Sequence, residues 1–250
     1  KKQALDSFYW SCFYLLNPTE RADRYFQNDW LRYYSLSQER MAKDARVHLI
    51  LDPAGGTEKS DFTTLWVLAR CWDKKTRGLD LWRDRIGIVE TMDLLFGCED
   101  AVPPAWMPRL GVVRQWQHMD SNITLWVEDF GNSAWFKVIH QEASKRKRHL
   151  VVRRLPNVGN RKKSSRIRFL QAPFRGGEVE LPASFGHGSR DDGRDTLEQF
   201  LFDEYSSWIF SPDGKGDGVA NDDALDGLAW AFQPEMMLLM PYPRIAVSDR

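Results

Sequence analysis

The sequence predicts an α/β fold, a mixed central β-sheet flanked by helices, and three observations carry that expectation. Short apolar runs bounded by turn residues recur along the chain, each the length of a strand rather than of a helix. Three come in close succession early on, as an antiparallel meander would, and beyond them strand-like runs alternate with helix-like stretches. With 250 residues, 42% of them hydrophobic and 11 of them Trp, the chain can bury the core such a layered domain needs.

Residues 1–45 stand apart. They are dense in aromatics (Phe8, Tyr9, Trp10, Phe13, Tyr14, Tyr25, Phe26, Trp30) and are punctuated by Asn17-Pro18-Thr19-Glu20. They read as a linker or docking segment, which leaves 46–250 as the domain proper. Val47–Leu51 is a strand. Asp61–Trp72 and Leu79–Glu90 are two more, joined through a turn at Lys74-Lys75-Thr76-Arg77-Gly78. Pro103 and Pro104 open a helix expected to reach Met119. Ile123–Glu128 is the fourth strand, Ala134–Lys147 a helix and His149–Arg153 the fifth strand. A helix over Lys162–Leu170, a short strand at Val179–Leu181 and a helix over Thr196–Trp208 follow, with Gly/Asp-rich loops at 186–194 and 211–221. The last helix is expected over Asp222–Leu239, and no internal repeat is visible.

Composition excludes several classes. The formal net charge is zero, so bulk electrostatics select no partner. Cys12, Cys71 and Cys98 lie far apart, with no CxxC and no Cys/His ligand spacing, and read as reduced thiols of an intracellular protein. No apolar run approaches the ~18 residues that span a bilayer, and no signal peptide is apparent. The segment GGTEKS at 55–60 places Glu58 where a phosphate-binding loop needs Gly before its Lys, which excludes ATP binding by that route. The chain starts at Lys1 without a Met and reads as part of something longer.

Three acidic motifs carry the chemistry. Asp52 closes the apolar run in HLILDPAGGTEKSDFTTL, Glu128 closes the one in ITLWVEDFGNSAW, and Asp222 and Asp223 open the helix of GVANDDALDGLAWAF. Asp52 alone also fits a turn in which it bonds backbone N–H groups, and Asp222 and Asp223 alone fit a helix start whose dipole favours carboxylates. Glu128 resists such a reading, because a charge at the end of a core strand needs a partner. Together, clustered carboxylates without His or Cys suit Mg²⁺ or Mn²⁺ rather than zinc. Two such ions can activate a water and stabilise the leaving oxygen of a phosphodiester. The order strand acid, strand acid, helix acid suggests a ribonuclease-H-like nuclease. Asp61 either reaches this site through a hairpin at Gly55-Gly56 or is an exposed strand-start residue.

From Lys145 to Arg168 basic residues accumulate with no acid among them: Lys145, Arg146, Lys147, Arg148, Arg153, Arg154, Arg161, Lys162, Lys163, Arg166 and Arg168. Such a run can be only a solvated face. Broken by a strand and a turn, it instead presents several basic edges beside the acids, the footprint of contact with phosphate backbone and not of base readout.

These residues together resemble the nuclease domain of the large terminase subunit of tailed phages and herpesviruses, over most of the chain from about residue 10. FYLLNPTERADRYFQNDWLRYY is similar to the segment joining that family's ATPase motor to its nuclease. LDPAGGTEKSDFTTLWVLA resembles the strand of the first catalytic aspartate, and LWVEDFGNSAW the second acidic motif. KKSSRIRFLQAPFRGGEVELP resembles the Lys-x-x-Arg segment and its hairpin, and NDDALDGLAWAF the final Asp-Asp helix, with Asn221 where the family often has His. The resemblance implies a ribonuclease-H-like fold, catalytic Asp52, Glu128 and Asp223, and Asp222 beside them as a further metal ligand. It implies two Mg²⁺ or Mn²⁺ ions, and double-stranded DNA bound through Lys145, Arg146, Lys147, Arg148, Arg161, Lys162, Lys163 and Arg166. It also implies an ATPase motor, a small terminase subunit and a portal as partners, in the host cell cytoplasm with no membrane. Two alternatives stand beside it. A junction resolvase or transposase-like nuclease of the same fold would prefer branched DNA, and a non-catalytic DNA-binding packaging module would bind DNA without cutting it.

Overall fold

The computed structural model describes residues 25–35, 45–54, 61–98, 103–128, 135–157, 161–190, 193–209 and 221–243. Most of the aromatic N-terminal segment, the 55–60 loop, the 211–220 part of the second Gly/Asp loop and Cys12 lie outside the described residues.

The apolar runs become a six-stranded sheet. In chain order its strands are β1 (Ala45–Asp52), β2 (Thr63–Cys71), β3 (Thr76–Asp84), β4 (Thr124–Val127), β5 (Val151–Arg154) and β6 (Val179–Glu180). Their spatial order is β5-β4-β1-β2-β3-β6. β1, β2 and β3 form the expected antiparallel meander, and β4, β5 and β6 add in parallel. Every residue of β2 and β3 is buried, as central strands covered on both faces must be.

Alternation along the strands divides the core in two. Val47, Leu49, Leu51, Leu65, Val67, Leu125 and Val127 face helices α1 (Ile88–Phe96), α2 (Val112–Trp116) and α3 (Trp135–Lys145). Ile50, Trp66, Leu68, Leu81 and Trp126 face the opposite layer, built from α4 (Lys163–Arg168), α5 (Gln171–Arg175), α6 (Thr196–Gln199), α7 (Asp223–Ala231) and α8 (Pro234–Leu239). α6 continues as a π-helical stretch over Phe200–Tyr205. The described part of the N-terminal segment joins this second layer: Phe26 is buried against Phe174 and Tyr205, and Tyr33 bridges to Leu181. Among the described residues no helix is long and apolar enough to cross a membrane, and Cys71 and Cys98 are free thiols.

Several boundaries differ from the expectations. The turn between β2 and β3 is confined to residues 72–75, where Lys74 takes a positive φ of 61° and Asp73 Oδ1 accepts the Lys75 N–H at 3.1 Å. Thr76, Arg77 and Gly78 therefore belong to β3. The expected strand Leu79–Glu90 ends at Asp84, and Ile88–Glu90 instead start α1, whose entry is tied by the Glu90 carboxylate accepting the Gly87 N–H at 3.1 Å. The β-branched pair Ile88-Val89 had favoured a strand, and this cap overrides it. The helix expected from Pro103 to Met119 shrinks to α2, since Pro108 has no N–H to give to a helix interior. Prolines explain two further breaks. Pro173 separates α4 from α5 at Phe169, whose carbonyl its ring would strike, and Pro234 divides the final helix into α7 and α8.

Candidate active site

Strand parity aims the first two acids. Asp52 ends β1 on the face of His48 and Ile50, and Glu128 follows β4 on the face of Trp126, so both carboxylates point into the layer that contains α7. β1 and β4 run parallel with Leu51 opposite Val127, and the Glu128 N–H donates to the Leu51 carbonyl at 2.9 Å. The two acids are thereby placed side by side at one end of the sheet.

α7 brings in the third. Its first turn is fastened to β2 and the residue before it, where the Trp66 indole N–H donates to the Ala224 carbonyl at 2.7 Å and the Phe62 N–H to Asp223 Oδ2 at 3.3 Å. Gly227 lets the helix lie close to the sheet. A Cβ there would stand 3.1 Å from Trp66 Cδ1 and 3.2 Å from Thr64 Oγ1. The result is a cluster of Asp52, Glu128 and Asp226 in which one carboxylate oxygen of each lies within 4.8 Å of the others.

Such a cluster is electrostatically loaded. Burial, together with the charge of Asp226, pushes the Glu128 carboxyl up to about 7, against the opposing pull of Arg166 and of hydrogen bonds with Asp52 and Trp230. Burial and the charges of Glu128, Asp226 and Asp223 raise Asp52 well above the usual carboxylate range, and burial raises Asp226 as well. Two neighbouring carboxyls buried together each favour the protonated form in the absence of metal.

Two cations from α4 answer these acids. Arg166 donates from Nε to Asp226 Oδ1 at 2.9 Å, makes a second bond to Oδ2 and lies 3.7 Å from Glu128 Oε1. Lys163 Nζ lies 2.7 Å from both Asp222 and Asp223. Burial opposes the charge of each, and their carboxylate partners outweigh it and hold both raised. The Arg166 side chain is 10% exposed and that of Lys163 36% exposed, so the guanidinium is held within the protein while the lysine side chain stays partly open to solvent.

The structure thus gathers Asp52, Glu128, Asp222, Asp223, Lys163 and Arg166 in one place and adds Asp226. That residue was not singled out in the sequence, though its signal was there: it follows Asp222 by four residues, on the same helical face. Asp61 is exposed, ahead of β2 and outside the carboxylate cluster. The other basic residues divide. Arg146 is occupied by Glu142, Asp93 and the Gly97 carbonyl, and Arg161 by Glu235 and Gln233. Lys145, Lys147 and Lys162 are exposed and Arg148 is half-buried.

No protein-family model and no curated protein sequence matches the chain. Solved structures do. The large terminase nuclease of thermophilic phage G20c, with bound magnesium, superposes with a TM-score of 0.50 over 84% of this chain and 97% of that one, at 15% identity. The terminase nuclease domain of human cytomegalovirus, soaked with manganese, gives 0.50 over 84% and 96%, at 10% identity. The chain has the fold of the terminase nuclease domains. That fold is the ribonuclease-H-like mixed sheet covered by helices expected from the sequence.

Proposed function

We propose that the chain is a metal-dependent DNA endonuclease, the nuclease part of a viral DNA-packaging terminase that cuts concatemeric double-stranded DNA. The observation that carries this reading is the convergence of Asp52, Glu128 and Asp226 from two neighbouring strand ends and one helix, on the fold of the terminase nuclease domains. The donor set is all oxygen, and its like charges raise each other's pKa, so it fits hard divalent ions such as Mg²⁺ or Mn²⁺. Asp52, Glu128 and Asp226 would hold one ion, and Asp223, with Asp222 beside it, would complete the place of a second near Asp52. Two bound ions supply activation of a water and charge stabilisation at the leaving oxygen of a phosphodiester.

The chain's own residues prepare that chemistry. The sheet end fixes Asp52 and Glu128 and needs no loop to do so. Trp230 donates to Glu128 Oε2 at 3.3 Å and so orients it. Arg166 holds Asp226 in a fork, which makes it a positioning group and not a contact for DNA. Lys163, at the open side of the cluster, is placed to meet a phosphate. Lys145, Lys147, Lys162 and Arg148 would track the DNA backbone, with Arg146 and Arg161 reinforcing the protein beneath them. Residues 1–45 would lead from an ATPase motor. A small terminase subunit and a portal complete the packaging assembly in the host cytoplasm.

Incubating supercoiled and linear plasmid with the protein in Mn²⁺, Mg²⁺ or EDTA, beside an Asp52→Ala variant, tests the reading. Cleavage in metal that disappears with EDTA and in the variant is expected, while the variant keeps its fold because it relieves repulsion among like charges. Undiminished metal-dependent cleavage by the variant would overturn the assignment. DNA binding without cleavage in any metal would make the chain a packaging module that only binds.

A further inference from the structure

The clearest unexplained group is Glu204. It is fully buried, lies in the π-helical stretch after α6 and belongs to none of the acidic motifs. Its Oε1 accepts from Arg83 Nε at 2.6 Å, and its Oε2 accepts the backbone N–H of Leu225 at 2.8 Å. Leu225 is in the first turn of α7, where N–H groups have no partner within the helix. Asp222 occupies the N-cap position but makes no capping hydrogen bond, and its carboxylate pairs with Lys163 instead. The helix that carries the site acids therefore gives up its own cap, and a carboxylate from another element takes that place. Arg83 extends the arrangement. Its guanidinium lies 3.9 Å from the centre of the Phe62 ring, and the Phe62 N–H holds Asp223. π-helical turns recur where function demands an awkward side-chain placement.

We propose that Glu204, braced by Arg83, is a positioning residue that sets α7 so that Asp222, Asp223 and Asp226 meet Asp52 and Glu128 in metal-binding register. This rests on the endonuclease reading and adds to it a part of the machinery outside the carboxylate cluster. The bond to Leu225 fixes the first turn at a point between Asp223 and Asp226. Lost, it leaves a buried N–H unpaired, which a small shift of α7 toward water would relieve. A displacement of about 1 Å at a catalytic group is enough to cost roughly a hundredfold in rate.

The test replaces the buried ion pair in a way that leaves no charge behind. Arg83→Met combined with Glu204→Met removes the pair with little loss of packing and strands only the Leu225 N–H. Arg83→Met combined with Glu204→Gln returns an acceptor to it. Calorimetric titration with Mn²⁺, after circular dichroism has confirmed folding, is expected to show affinity reduced roughly tenfold in the first variant and restored to within about threefold in the second. Where these do not accumulate as folded protein, Glu204→Asp carries the same test, since it keeps the charge for Arg83 but is one methylene too short to hold both partners. Wild-type Mn²⁺ affinity in a folded first variant, or in folded Glu204→Asp, would overturn the positioning role and leave the endonuclease reading standing. No Mn²⁺ binding by the wild type would overturn both.

Discussion

Burial and the charge of Asp226 push the Glu128 carboxyl up to about 7, against the opposing pull of Arg166, Asp52 and Trp230. A divalent ion needs that oxygen ionised, so binding must expel the proton, and the apparent affinity for Mn²⁺ should weaken by about tenfold per pH unit as pH falls below about 7. Glu128→Gln, which has no proton to expel, should bind more weakly but with a flatter profile; parallel slopes in the two titrations would contradict this assignment. Stability of the metal-free protein should run the other way. A carboxyl whose pKa rises on folding favours the folded state below its unfolded value, and that benefit is withdrawn as pH climbs through about 7. Between pH 5 and 8 (about two units below and one above that value) the melting temperature of the metal-free wild type should therefore fall relative to Glu128→Gln, and saturating Mn²⁺ should reverse the trend.

At the scale of elements, the seating of α7 on the sheet decides whether the helix acids reach the strand acids at all. In an ordinary helix interior, replacing Gly by Ala gains about 1 kcal/mol. At Gly227 the new methyl would press on Trp66 and Thr64, and Trp66 is fully buried with its indole N–H bonded to Ala224, so it has little room to yield. Gly227→Ala should therefore cost about 1–3 kcal/mol of stability and weaken Mn²⁺ binding. A stabilised variant with unchanged metal affinity would show that the contact gives way. This closeness was not legible in the sequence, where Gly227 looks only like a weak point in a helix. The strands were legible because burial on both faces leaves unbroken apolar runs, and Asp52 and Glu128 were legible because a charge ending such a run needs an explanation. α1 was hidden by its β-branched start. Asp226 and Glu204 were hidden for a related reason. An acid inside an amphipathic helix reads as solvent-facing until a neighbouring layer covers it, and only the fold supplies Arg166 and Arg83 to cover these two.

For the molecule as a whole, zero net charge is compatible with DNA binding because the charges are segregated. Many of the acids are engaged by the protein's own cations, Glu142 and Asp93 by Arg146 and Glu235 by Arg161 nearer the surface, and Asp223 and Asp226 by Lys163 and Arg166 in the interior. Those pairs also remove Arg146, Arg161 and Arg166 from the electrostatic footprint, so the density of Lys and Arg in the sequence overstates the surface available to phosphate. Lys145, Lys147 and Lys162 remain exposed, with Lys145 only loosely associated with Glu142 at 3.6 Å. Each such contact with duplex DNA releases counterions and contributes about 0.9 to the slope of log affinity against log salt. Replacing the three lysines by Gln one at a time should lower that slope by about one apiece and weaken binding alike for every sequence tested. Arg146→Gln and Arg161→Gln should instead lower thermal stability and leave the slope near its wild-type value, because their charges are already spent on the protein. A slope that drops for the arginines and holds for the lysines would place the DNA on a different face, away from the end of the sheet where Asp52, Glu128 and Asp226 converge.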